Sequence, residues 1–187
     1  FNVVEYAKVL RELLRGNKAI TSLCLCRITF GLNAAAAWSI FEGVRSNTAL
    51  QQLDLRGCGL GDQGISILAN ALALRNAGLL ELHINHNQIT SVGVRALIDD
   101  NVEAVKTLTK LCLFGNPIGN EGAAILADAL GRNAMPSLKR LELGFCLIDE
   151  DGFGALMSAL EQNESLQILN LKDNHFGERG LKALAVS

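Results

Sequence analysis

No apolar stretch in this chain approaches the roughly 18 residues that a membrane-spanning helix needs, so no transmembrane segment is expected. Charge of one sign is also lacking. Seventeen lysines and arginines against 19 aspartates and glutamates leave a net charge of −2. Without a basic surface the chain lacks the electrostatic footprint of a nucleic-acid binder or of a protein held on an anionic membrane. The residues from Phe1 onward carry no signal-peptide pattern. Only two prolines occur, and no low-complexity tract divides the 187 residues. Glycine is common, at 18 copies, yet no spacing is that of a Walker or Rossmann phosphate loop. The five cysteines do not make a disulfide framework. A reducing compartment, cytoplasm or nucleus, follows, and the cytoplasm is the expected location.

What the chain does have is 49% hydrophobic residues in a regular order. The stretch from Leu108 to Ile118 shows the unit: apolar residues at its first, fourth, sixth and eleventh places and an asparagine at the ninth. Leu111 and Leu113 point one way along a short strand, and Lys110, Cys112 and Phe114 the other. The same unit starts at Ile20, Leu50, Leu79, Leu108, Leu138 and Leu166, in steps of 30, 29, 29, 30 and 28 residues. A second marker lies four residues past the eleventh place. It reads Ala34, Gly64, Gly93, Gly122, Gly152 and Gly180 and keeps the same steps. Two independent markers with one set of steps identify a true internal repeat. The ninth place reads Ile28, Cys58, Asn87, Asn116, Cys146 and Asn174. Asparagine there is expected to satisfy main-chain groups of a buried turn, with cysteine as a small buried substitute. Ile28 departs from this and predicts an altered, drier first turn.

This pattern resembles the leucine-rich repeat, L-x-x-L-x-L-x-x-N/C-x-L. The length near 29, the Asn/Cys alternation and the glycine opening an Ala/Leu-rich helix resemble the ribonuclease-inhibitor subtype. That subtype also occurs in the sensing domains of NOD-like receptors, in the Ran GTPase-activating protein and in actin regulators. The resemblance covers essentially the whole chain. It implies an α/β solenoid, a right-handed β-α superhelix or horseshoe, with an inner parallel sheet and outer helices. Physics leads to the same place. One strand and one helix cannot bury their apolar sides alone, so stacked copies must share a core.

Read along the chain, residues 1–187 form one domain. Residues 1–19 hold a helix, about 1–16, that belongs to a preceding partial repeat. In the first full repeat a helix is expected from Ala34 to Val44, with Trp38 in core or convex packing. In the third repeat, Asp99, Asp100 and Glu103 form an acidic turn, followed by a longer return from Val102 to Thr107. The sixth repeat is truncated at Ser187. No polar capping repeat stands at either end, as a solenoid requires for solubility, which leads to the expectation of a segment from a longer array.

In such a fold the third, fifth, seventh and eighth places line the concave side, free of the core requirement. Across the repeats they bring Arg56, Glu81, His83, His86, Lys110, Phe114, Arg140, Glu142, Phe145 and Lys172 onto one face. Phe114 and Phe145 stand beside Gly115 and Gly144, small neighbours expected to leave the rings accessible. Aromatic rings with arginine, surrounded by charge, have the composition of an interface hot spot. The alternative is packing under a neighbouring loop.

Two chemical readings compete with recognition. Asp54, His83, Cys112 and Glu142 occupy the fifth place of consecutive strands, so a Cys–His–Asp row is geometrically available. An open sheet face, however, provides no oxyanion donors and no enclosed pocket. For metal, His83, His86 and Cys112 could approach one another, and Cys24 and Cys26 share a face about 7 Å apart by strand rise. Neither cluster has four ligands at structural-site spacing. The expectation is therefore a non-catalytic domain that binds a protein on its concave face, without nucleic acid, membrane, metal or cofactor, and with its oligomeric state open. The resemblance implies a sensing or regulatory role within a larger protein. The alternative it implies is a small-GTPase-activating regulator of the Ran type.

Overall fold

The computed structural model describes residues 2–30, 32–74, 78–98 and 105–177. In chain order the elements are α1 (Val3–Leu14), β1 (Ser22–Cys24), α2 (Ala34–Ser46), β2 (Gln52–Asp54), α3 (Gly61–Ala73), β3 (Glu81–His83), α4 (Ser91–Ile98), β4 (Lys110–Cys112), α5 (Gly119–Gly131), β5 (Arg140–Glu142), α6 (Glu150–Leu160) and β6 (Ile168–Asn170). The strands form one sheet in the order β1-β2-β3-β4-β5-β6, each parallel to the next. Leu23, Leu53, Leu82, Leu111, Leu141 and Leu169 stand side by side across it. Each helix packs on the next helix in sequence. This is an α/β leucine-rich-repeat solenoid: strand order equals chain order, because each repeat touches mainly its neighbours.

The repeating leucines make the core. In repeats two to five the first, fourth, sixth and eleventh places are no more than 3% exposed. They meet the inner faces of the helices, among them Leu68, Ala71 and Leu72 of α3. In the sixth repeat Leu166, Leu169, Leu171 and Phe176 are only partly buried.

The ninth-place asparagines satisfy two repeats at once. Asn87 Oδ1 accepts from the N–H of Cys58 and Leu60 at 3.0 and 3.2 Å, while its Nδ2 donates to Leu55 O and Asn85 O. Asn116 and Asn174 do the same one and three repeats on. An amide can do this because it holds two donors and an acceptor with two lone pairs. The thiol of Cys58 supplies only a donor, to Leu25 O at 3.0 Å. The turn before it closes on itself instead, with Ile28 N–H on Leu25 O and Phe30 N–H on Ile28 O. The fourth turn closes in the same way, with Ile118 N–H on Asn116 O ahead of Cys146, so the feature follows the cysteine of the next repeat and not Ile28, and Ile28 is partly buried, not the mark of a drier turn.

The second marker has a steric cause. A Cβ on Gly93 would lie 2.7 Å from Cγ2 of Ile89 and 2.5 Å from Asp62 Oδ1, and one on Gly152 would meet Ile148 and Asn120 in the same way. The helix start presses onto the eleventh-place side chain and onto a polar residue of the preceding repeat. That polar residue also caps the helix: Asp62 accepts from the N–H of Thr90 and Gly93.

Helix α1 is shorter than 1–16. It starts on Asn2, whose side chain accepts from the N–H of Val4 and Glu5, and buries Ala7, Leu10 and Leu14. The α2 helix runs to Ser46, and Trp38 stands on it 55% exposed, outside the core. Asp99, Asp100, Glu103, the first part of the expected return and the helix marked by Gly180 lie outside the described residues. Among the described residues no helix is long and apolar enough to cross a membrane.

Candidate functional site on the open face of the sheet

Each strand leaves the sheet through a tight turn whose eighth-place residue is left-handed. Arg27, Gly57, His86, Gly115, Phe145 and Asp173 have φ of 61°, 66°, 53°, 71°, 55° and 57°. Glycine adopts this region freely, whereas a bulky side chain there is strained. Phe145 shares this conformation with the non-glycine residues Arg27, His86 and Asp173, and Leu147, two residues on, holds φ of 58° as Gln88 holds 60° at the same place of the third repeat. Both side chains are also exposed, Phe145 to 58% and Leu147 to 53%. Burial does not explain these two apolar side chains, and the left-handed backbone costs each of them energy that a glycine would not incur.

Phe145 ends a row of rings. The His86 and Phe114 centroids are 5.3 Å apart, edge to face at 73°. Those of Phe114 and Phe145 are 6.5 Å apart and stacked at 24°. Glycines seat this row. A Cβ on Gly115 would fall 2.2 Å from His86 Nδ1, and one on Gly144 would fall 2.6 Å from Cδ2 of Phe114. The small neighbours thus let the rings lie down onto the strands instead of standing free. As a result Phe114 is half-buried, and Phe145 offers the exposed ring.

The charged residues flank this row in local groups. Glu81 accepts from Gln52 Nε2 at 3.2 Å, lies 3.1 Å from His83 Nε2 and faces Lys110 Nζ at 3.7 Å. The His83 bond, aided by the Lys110 charge, holds the Glu81 carboxyl below its ordinary value despite partial burial. Arg140 Nε donates to Glu142 at 2.6 Å, and Asn170 donates to the same carboxylate. Arg56 grips Asp54 through Nε and Nη2, at 2.9 and 2.7 Å. Burial alone would raise the Asp54 carboxyl; bonds from Arg56 and Cys26 hold it low. Lys172 is exposed, 3.9 Å from Asp173. Of the ten residues expected on this face, His86, Phe114 and Phe145 form the ring row. Glu81, His83 and Lys110 form one polar group and Arg140 with Glu142 another. Arg56 and Lys172 stand apart from these three. Leu147 and Ile168, the latter 45% exposed, were missed. Leu147 did leave a signal, being an apolar residue at a tenth place that elsewhere reads Thr29, Gly59, Gln88, Pro117 and His175.

The fifth-place row does lie in register, Asp54 beside His83 and His83 beside Cys112. Its side chains are committed elsewhere, His83 to Glu81 and Asp54 to Arg56. Cys112, expected on the outward face, is 4% exposed, and burial pushes its thiol up to about 11. A buried protonated thiol is a poor nucleophile. His83, His86 and Cys112 do not form a ligand group among the described residues. Burial likewise pushes Cys58 and Cys146 up to about 11, partly offset by main-chain N–H groups. The sulfurs of Cys24 and Cys26 are 2.9 Å apart, far closer than strand rise implies, since Cys26 already lies in the turn.

Comparison with known proteins agrees with this architecture. The Leucine Rich repeat family matches residues 46–69, 75–97, 106–127 and 162–185. The chain is 34% identical over 154 residues to NACHT, LRR and PYD domains-containing protein 5 of Homo sapiens, covering 82% of this chain and 13% of that protein. It is 32% identical over 154 residues to the ribonuclease inhibitor of Sus scrofa, covering 82% of this chain and 33% of that one. The chain thus spans a third or less of either relative. Among solved structures, the tropomodulin C-terminal domain of Caenorhabditis elegans superposes with a TM-score of 0.65 at 16% identity, over 87% of this chain and 93% of that one, a likeness of fold. Repeat length, ninth-place asparagines and cysteines, and these relatives together place the chain in the leucine-rich-repeat family, in its ribonuclease-inhibitor-like subtype.

Proposed function

We propose that this domain is a non-catalytic recognition module that grips a protein partner on the open, concave face of its sheet, around His86, Phe114 and Phe145. One observation carries the reading: Phe145 is an exposed aromatic ring at a left-handed place that reads Arg27, Gly57, His86, Gly115 and Asp173 in the other repeats, so it is the large apolar side chain of that set. A ring held at a cost to the fold and displayed to solvent is best explained by a surface it meets. Its stacking on Phe114, itself seated on Gly144, leaves it few orientations, so little side-chain entropy is lost on contact. Arg140, Lys110 and Glu81 would form the polar rim around this centre. The relatives, of which this chain matches only a part, support a role as the recognition segment of a larger sensing or regulatory protein.

The test is affinity capture from a native lysate, read by quantitative mass spectrometry. It compares the unmodified chain with a Phe145→Ser variant and with a Phe145→Ser/Arg140→Glu variant. Phe145 is the cleaner probe because Phe114 also supports its neighbours. We expect one protein to be retained by the unmodified chain and lost from both variants, with a loss of more than about 2 kcal/mol once that partner is purified. Equal retention by all three chains would reject the patch.

A further inference from the structure

The other end of the open face, on β1 and β2, carries a cluster that recognition by the ring row does not use. Cys24 and Asp54 are register partners on adjacent strands, and Cys26 follows on the same side. One ligand atom from each of Cys24, Cys26 and Asp54 lies within 4.8 Å of the others, a grouping of potential metal ligands that no other trio matches among the described residues. We propose that Cys24, Cys26 and Asp54 form a binding site for a thiophilic divalent cation of the zinc class, with two thiolates and one carboxylate as ligands and a fourth position open to solvent.

The donor set suits such an ion, which accepts sulfur and carboxylate oxygen together. Bonds of about 2.3 Å in a tetrahedron set two sulfurs roughly 3.8 Å apart, so the thiols need to spread by about 0.9 Å. Small side-chain rotations supply this, because Cys24 is exposed and Cys26 only partly buried. The frame behind them is rigid. Leu25 N–H donates to Asp54 O and Arg27 N–H to Arg56 O, both at 2.8 Å, which locks the two strands together. Arg56 holds the carboxylate in place: Oδ1 accepts from its main-chain N–H and Nε, and Oδ2 from Nε and Nη2. An ion on Asp54 therefore takes the place of one of these contacts, and the remaining bonds from Arg56 orient the carboxylate as an outer-shell partner. Arg56 also completes the charge. A divalent ion with two thiolates and a carboxylate carries one negative charge, and the Arg56 guanidinium beside it balances that charge. The other thiols are unsuited: Cys58 and Cys146 donate to main-chain carbonyls in the core, and Cys112 is buried.

The experiment is a titration of the full chain with Cd2+ alone, in a non-chelating phosphine reductant, followed by sulfur-to-cadmium charge-transfer absorption in the ultraviolet. The expected result is a band that saturates at one equivalent with the intensity of two thiolate bonds and that added Zn2+ displaces. Cys24→Ser/Cys26→Ser should lose the band, and Cys112→Ser should keep it. Asp54→Asn should keep the band but bind at least the roughly 10–100-fold more weakly that outer-shell changes already cause. Circular dichroism and the urea midpoint establish that each near-isosteric variant is folded. The proposal is overturned by a band that survives the double serine variant, by an Asp54→Asn variant that binds as tightly as the unmodified chain, or by the lack of any saturable band. The site is separate from the ring row, so failure of either assignment leaves the other standing.

Discussion

The left-handed Phe145 offers a direct test of whether this chain sacrifices stability for a displayed ring. Consider Phe145→Ala and Phe145→Gly side by side. Both remove the stacking on Phe114, worth about 0.5–1.5 kcal/mol beyond burial. Lost burial adds little, because the side chain is more than half exposed. Alanine retains the strain of φ near 55°, whereas glycine releases the roughly 1–2 kcal/mol that an L-residue incurs in that region. Glycine brings its own entropic penalty of about 0.5–1 kcal/mol. The balance puts the glycine variant above the alanine variant by somewhat less than about 1 kcal/mol, close to the unmodified chain. In an ordinary position the order is the reverse. Urea denaturation reads this as a shift of midpoint at unchanged m. A glycine variant less stable than the alanine variant would show that the turn does not strain Phe145 and would remove the main argument for its role.

Three further outcomes are expected. Asn87→Ala strands the buried N–H groups of Cys58 and Leu60 and two carbonyls, and should cost about 3 kcal/mol or more in the urea midpoint; a loss under about 1 kcal/mol would contradict the stitching role of the ninth place. Gly144→Ala drives a methyl into the Phe114 ring and should destabilise by about 1–3 kcal/mol while displacing Phe145 from its stack, seen as weaker retention of the captured partner. The third concerns Glu81, whose folded pKa is depressed below the ordinary 4.5. Its stabilising contribution is therefore complete above pH 4.5 and fades as pH falls through the lower folded value. The stability difference between the unmodified chain and Glu81→Gln should shrink in that acidic window, and a difference constant down to the acid transition would refute it.

Much of this molecule was legible in its sequence, for a reason that lies in repeats. Core places recur every 28 to 30 residues, and each repeat contacts its neighbours in one fixed register. Knowing which face Leu111 takes is enough to place Lys110, Cys112 and Phe114 opposite, and to set Lys110 beside Glu81 and Arg140. The Asn ladder was legible in kind, since a buried turn must satisfy its main chain. Its reach into the preceding repeat was not, because that depends on where Asn87 Oδ1 meets the N–H groups of Cys58 and Leu60.

Sequence alone thus determined the solenoid, the strand register and the roster of residues on the open face, because period and polarity decide these locally. Tertiary structure alone decided how those residues spend their contacts. Gly144 appeared to free a ring and in fact seats Phe114. Cys112 points away from the helices yet is buried among its neighbours. Cys24 and Cys26 looked two strand steps apart, but the turn brings their sulfurs to 2.9 Å and Asp54 supplies a third ligand from the next strand. Phe145 is one of two phenylalanines on the open face, and only its backbone angle and exposure separate it from Phe114. These are distances and torsions set by side chains meeting across repeats, where spacing along the chain carries no information about which rotamer, ring or lone pair comes to face which.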